Sequence, residues 1–91
     1  MALVHVNQTV GTVPTLLCTI PSGLPYTAVS IYNNDNQAIF LGDKTVTVND
    51  GTTISTKAIA SQIWLHSGDS LYAVSALGTS ANAVSILYSG K

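Results

Sequence analysis

Short runs of β-branched and aromatic residues, each closed after about 8–12 residues by Gly, Pro, Asn or Asp, follow one another along the whole chain. That rhythm leaves little room for helices. It predicts strands that reverse repeatedly, because alternate residues of a strand face opposite ways and a turn must bring the next one back. Residues 3–10 place Val4 and Val6 on one face and Leu3, His5 and Asn7 on the other. Gly11 and Pro14 interrupt, and residues 15–20 form a second strand ended by Pro21-Ser22-Gly23 and Pro25, whose prolines fix φ and lack a ladder donor.

Residues 27–32 read as a strand with Val29 and Ile31 on one side. The Asn33-Asn34-Asp35-Asn36 cluster then predicts a hairpin turn into residues 38–41. Residues 45–48 alternate at period two, and Asn49-Asp50-Gly51 predicts a hairpin into residues 52–55, with Gly51 supplying a positive φ. Residues 56–65 have partly helical spacing but no capping box, so they are read as an extended segment ending in a strand at 62–65. Strands at 70–76 and 83–88, separated by Gly78-Thr79-Ser80, complete the set. The expected fold is all-β: one antiparallel β-sandwich or jelly-roll-like domain, with residues 1–25 as an N-terminal strand or arm segment and 26–91 as the sandwich proper.

Charge narrows the functions such a fold can serve. Among 91 residues there are three Lys, four Asp, no Arg and no Glu, a charged fraction of 8% against 46% hydrophobic. A chain of this size buries only about 60–65% of its unfolded surface. The remaining surface is therefore polar-neutral or apolar, and repels copies of itself weakly. Self-association is expected. No cation cluster exists to displace counterions, so nucleic-acid binding is not expected. Nor is a membrane span, since no apolar run approaches about 20 residues. The opening Met1-Ala2-Leu3-Val4-His5 lacks a basic region and a continuous apolar core, so no secretory signal is read there.

Groups able to do chemistry are few. Cys18, the single cysteine, lies in Leu16-Leu17-Cys18-Thr19-Ile20 and is expected in the core as an unreactive thiol. His5 and His66 are isolated, and neither belongs to a zinc-ligand spacing. The Asn33–Asn36 cluster lacks the closing Glu of a calcium loop and is read as turn chemistry. Asp43, Asp50 and Asp69 each sit beside a glycine, which is turn usage. Asn7-Gln8-Thr9 matches a glycosylation acceptor, read as accidental without a secretory route. Six aromatics, Tyr26, Tyr32, Phe40, Trp64, Tyr72 and Tyr88, are spread over many strands and are read chiefly as core and subunit contacts. No catalytic, metal or cofactor residue is expected, and the chain is not read as an enzyme.

The order of segments from Val29 onward carries a resemblance. Val29-Ser30-Ile31-Tyr32-Asn33, Ile39-Phe40-Leu41-Gly42, Val46-Thr47-Val48, Gly51-Thr52-Thr53-Ile54, Leu65-His66-Ser67-Gly68-Asp69-Ser70-Leu71-Tyr72-Ala73-Val74 and Val84-Ser85-Ile86-Leu87 follow in close succession. This order is similar to that of small β-rich structural proteins of tailed bacteriophages, in particular capsid decoration (cement) proteins, over about two-thirds of the chain. The resemblance implies a non-enzymatic virion protein on the capsid exterior, made in the host cytoplasm. It would bind the major capsid protein lattice and stabilise the assembled head by bridging neighbouring subunits, often as a homotrimer. Residues 3–25, outside the resemblance, are expected to supply an arm or edge strand that can add to a neighbouring sheet. Two other readings stand beside it. One is a tail, connector or fibre-base domain; the other is a small carbohydrate-binding module using Tyr26, Tyr32 and Trp64 as a stacking strip.

Overall fold

The computed structural model describes residues 2–23 and 26–90, without the side chains of Ala2, Tyr26, residues 60–62 and residues 89–90. Eight strands build it: β1 (Ala2–Gln8), β2 (Thr15–Thr19), β3 (Tyr26–Asn33), β4 (Ile39–Gly42), β5 (Thr52–Ile54), β6 (Ala58–His66), β7 (Ser70–Ser75) and β8 (Val84–Gly90). Sheet A has the order β1-β8-β3-β6, and sheet B the order β2-β7-β4-β5. All pairings are antiparallel. The pairs β4–β5, β3–β6, β2–β7 and β1–β8 nest inside one another like a long hairpin rolled up, which is the jelly-roll arrangement. The segment up to residue 25 contributes β1 and β2, which are edge strands of sheets A and B.

The core lies between the sheets. Val29, Ile31, Val84 and Ile86 of sheet A meet Leu17, Cys18, Ile39, Leu41, Ile54, Leu71 and Ala73 of sheet B, with Val10 and Ile20 closing the ends. The alternation expected for β1 holds: Val4 and Val6 are half-buried while Leu3, His5 and Asn7 are exposed. In β2 the register shifts between Leu16 and Cys18, so that Leu17 and Cys18 are both buried. A bulge of this kind is what lets consecutive residues share one interior. Residues 58–66 are extended throughout, so the strand expected at 62–65 is longer than its apolar signal.

Three local expectations are corrected. Asn33–Asn36 is not a hairpin turn, because β3 and β4 belong to different sheets. The segment crosses the end of the sandwich instead, held by Asp35, whose Oδ2 accepts the Gln37 amide at 2.9 Å and whose Oδ1 accepts the Ser80 amide at 2.9 Å. Residues 45–48 do not form a strand. Asp43 Oδ1 accepts both the amide of Thr45 at 2.9 Å and its hydroxyl at 2.6 Å, and the Val46 amide bonds Asp43 O at 3.0 Å. These local bonds win the backbone from the ladder, leaving one isolated bridge between Thr47 and Asp50.

The third correction concerns Gly51, which is not among the glycines at positive φ. A glycine is required there by space, since a Cβ would lie 2.8 Å from Val46 Cγ2 and 3.0 Å from Leu41 O. The partner of β5 is β4, across the long loop of residues 43–51. Gly68, by contrast, does use φ +84° to turn between β6 and β7. Beside it Asp69 Oδ2 accepts the His66 amide at 2.8 Å, in keeping with its reading as a turn residue.

Candidate functional site

The two outer faces of the sandwich are finished differently. On sheet B, Phe40 and Val74 sit opposite each other on neighbouring strands, pointing away from the core. The loop of residues 43–51 folds back over this face. Val46 is buried there, packed within contact of the Gly42 and Gly51 backbones. Val74 is buried as well. Sheet B thus covers much of its own outer apolar surface.

Sheet A does not. Register places Leu3 and His5 of β1, Ser85 and Leu87 of β8, Ser30 and Tyr32 of β3, and Ile59 and Trp64 of β6 on its outer face. Leu3 is 75% exposed, Ile59 69%, Trp64 56% and Leu87 42%. Such residues scattered singly are ordinary, but here they share one face, and a contiguous apolar patch marks an interaction surface. The face is also hollow. The central strands carry the small residues Ser30 and Ser85, whereas Leu3, His5 and Ile59 rise from the edge strands. The result is an open trough of about 460 Å³.

The polar groups of this face are largely occupied with one another. Ser85 Oγ donates to Asn7 Oδ1 at 2.8 Å, which places the Asn7-Gln8-Thr9 motif on the same surface. Tyr32 donates its hydroxyl to Asn34 Oδ1 at 3.2 Å, and Lys57 Nζ donates to the same oxygen at 3.2 Å. What the trough offers a partner is chiefly apolar. Every charged residue described in the structure lies outside the eight strands: Asp35, Asp43, Lys44, Asp50, Lys57 and Asp69 are all in turns or loops. The strands themselves therefore contribute no Lys or Asp among the described residues, and Lys57 reaches this face only at its margin, on Asn34.

Cys18 is buried in the core, where desolvation pushes its thiol up to about 11. At physiological pH it is neutral, and the thiolate that reacts or binds metal is not formed. His66 is exposed beside Asp69, with Nδ1 3.8 Å from Oδ2. His5 is exposed on β1, and among the described residues no group of three His, Cys, Asp or Glu converges. Asp35 is held below the usual carboxylate range, first by the Ser80 amide, with the Gln37 amide and Lys57 adding to it against a desolvation cost. That carboxylate fastens a corner of the fold.

Sequence reasoning missed Asn33. It is fully buried, and its Nδ2 donates to Gln37 O at 2.8 Å and Ser55 O at 3.2 Å. Its Oδ1 is the buried side-chain oxygen left without a hydrogen bond among the described residues. Of the aromatic strip, Tyr32 and Trp64 do share the outer face of sheet A, four residues apart in register, or about 13 Å along the strands; the Tyr26 side chain lies outside the described residues. Comparison with protein-family models, curated proteins and solved structures finds no match to this chain.

Proposed function

We propose that this chain is a non-enzymatic structural protein that works by pressing an uncharged sheet face against other protein chains, and that it serves in a bacteriophage virion as a capsid decoration protein. The observation that carries the reading is the outer face of sheet A, where Leu3, Ile59 and Leu87 are exposed around a trough with no charged side chain in its lining, and Trp64 is exposed on the same face beyond it. The jelly-roll order alone does not select a role, because capsid proteins, lectins and cupins share it. The virion assignment rests on the resemblance of the segments from Val29 to Leu87.

On this reading the protein binds the assembled lattice of the major capsid protein and bridges its subunits from outside. A ligand that binds only the assembled state stabilises it by mass action, and a self-associated form engages several lattice sites at once. The strands β1 and β2, each at a sheet edge, offer backbone for strand addition to a neighbour. Purified chain mixed with undecorated heads is expected to co-sediment to saturation at a copy number comparable with the capsid subunit and to raise the temperature of head disruption. Binding to tails alone, at six or twelve copies, would move the protein to a connector or fibre base. A second reading draws on Tyr32 and Trp64 sharing one face, which suits a sugar-stacking strip. Retention on a glycan array, lost in Trp64→Ala, would favour it.

A further inference from the structure

We propose that a second copy of this chain covers the outer face of sheet A, sheet against sheet about a two-fold axis. The inference rests on the reading of that face as a protein-contact surface, and it names the first partner. Three properties select a copy of the chain over other occupants.

The first is charge. An anionic lipid surface or a nucleic acid is met by clustered cations, and this face has none among its described residues. A copy presents the same face, whose strands bring no charge to the contact and whose one described lysine, Lys57, stands at the margin on Asn34 Oδ1, so bringing two together opposes few like charges.

The second is shape. The trough floored by Ser30 and Ser85 is flanked by the raised side chains of Leu3 and Ile59, with Trp64 beyond it on β6. One surface thus holds both a hollow and the ridges to fill it. A patch complementary to itself makes an isologous contact, which closes at two copies. This differs from the trimer that the resemblance implies.

The third is size. Four strands about 4.8 Å apart, each about seven residues of about 3.3 Å, give roughly 440 Å² of flat face per copy, or on the order of 1,000 Å² buried by a pair once side-chain relief is counted. That lies just above packing contacts and below permanent dimers, so the pair is reversible and concentration-dependent.

The test uses the full chain alone, by sedimentation equilibrium and by the fluorescence of Trp64, the only tryptophan. Between about 1 and 200 µM, the range expected of a reversible pair, the mass is expected to rise from one chain towards two, with the emission shifting to the blue. Ile59→Lys and Leu87→Lys are each expected to hold the mass at one chain. Leu77→Lys, an exposed apolar position in the loop between β7 and β8, is expected to leave the dimer intact. A thermal melt of each variant confirms that it is folded, and if one lysine variant does not fold the other decides. A monomer across the whole range, a trimer, or a dimer that ignores both face variants would overturn the proposal. Head binding without dimerisation would sink this inference and leave the decoration reading standing. A dimer that ignores every head would do the reverse.

Discussion

Val46 Cγ2 lies 2.8 Å from where a Cβ on Gly51 would be. The loop of residues 43–51 can lie on sheet B because that position has no side chain. The carbonyl oxygen of Leu41 and the Cβ of Phe40 close the other sides at 3.0 and 3.1 Å. Neither a main-chain oxygen nor a β-branched methyl yields easily. Gly51→Ala is therefore expected to destabilise by about 1–3 kcal/mol, the range for overpacking a filled site. Urea denaturation checks it, and an unchanged midpoint would mean that the loop does not pack as described.

Asn33 ties three pieces of chain at one corner, β3 to Gln37 and to the residue after β5. Asn33→Ala leaves the two carbonyls without that donor, at about 1–3 kcal/mol for each one kept from water. Asn33→Asp is expected to be worse at neutral pH, since it sets a carboxylate against carbonyl oxygens, and to recover partly in acid as it protonates. A melting-temperature series for the two variants against pH distinguishes the donor's loss from the added charge.

Acid sensitivity follows from Asp35. Its folded-state pKa is lowered, first by the Ser80 amide. The unfolded chain then binds more protons than the folded one as pH drops past the ordinary aspartate value of about 3.9. The stabilising contribution is complete above that value and is lost as pH falls through the lower folded one. Asp43, lowered first by the Thr45 hydroxyl, adds in the same direction. Stability measured by denaturant between about pH 6 and pH 3 is expected to fall towards acid, and less steeply in Asp35→Asn. Equal slopes would remove Asp35 as a cause.

Burial of Cys18 predicts a protected thiol. Its pKa near 11 stands above the unfolded value of 9.0, so the folded state is favoured fully below about pH 9 and progressively less above it. Under native conditions an aromatic disulfide reagent is expected to react only as fast as the core opens. Reaction at the rate of a free thiol in folded protein would contradict the packing of Cys18 against the second sheet.

Much of the architecture was legible because it depends on neighbours in sequence. Val29 and Ile31, or Val4 and Val6, reveal their shared face by spacing alone, and Gly68-Asp69 declares its turn through a φ and a cap. Elsewhere the deciding contact is remote. The buried place of Asn33 depends on Ser55, 22 residues away, and nothing in Asn33-Asn34-Asp35-Asn36 distinguishes a crossing between sheets from a hairpin. Val46 alternates with Val48 like a strand, yet only Val46 finds a pocket, and Gly42 and Gly51, though near in sequence, form it only once the loop has folded back over sheet B. The face of sheet A was half legible. Its apolar residues were visible one by one, but their gathering around Ser30 and Ser85 needed the order β1-β8-β3-β6.

That order sets a timetable for chain synthesis. β8 lies between β1 and β3, so β1 has no partner until the eighth strand has left the ribosome. β2 waits in the same way for β7. During translation the first two strands must stay unpaired while the inner β4–β5 and β3–β6 pairs assemble, and long-range closures of this kind are slow. A nascent chain arrested before residue 84 is therefore expected to remain open to proteases however many of its strands have emerged.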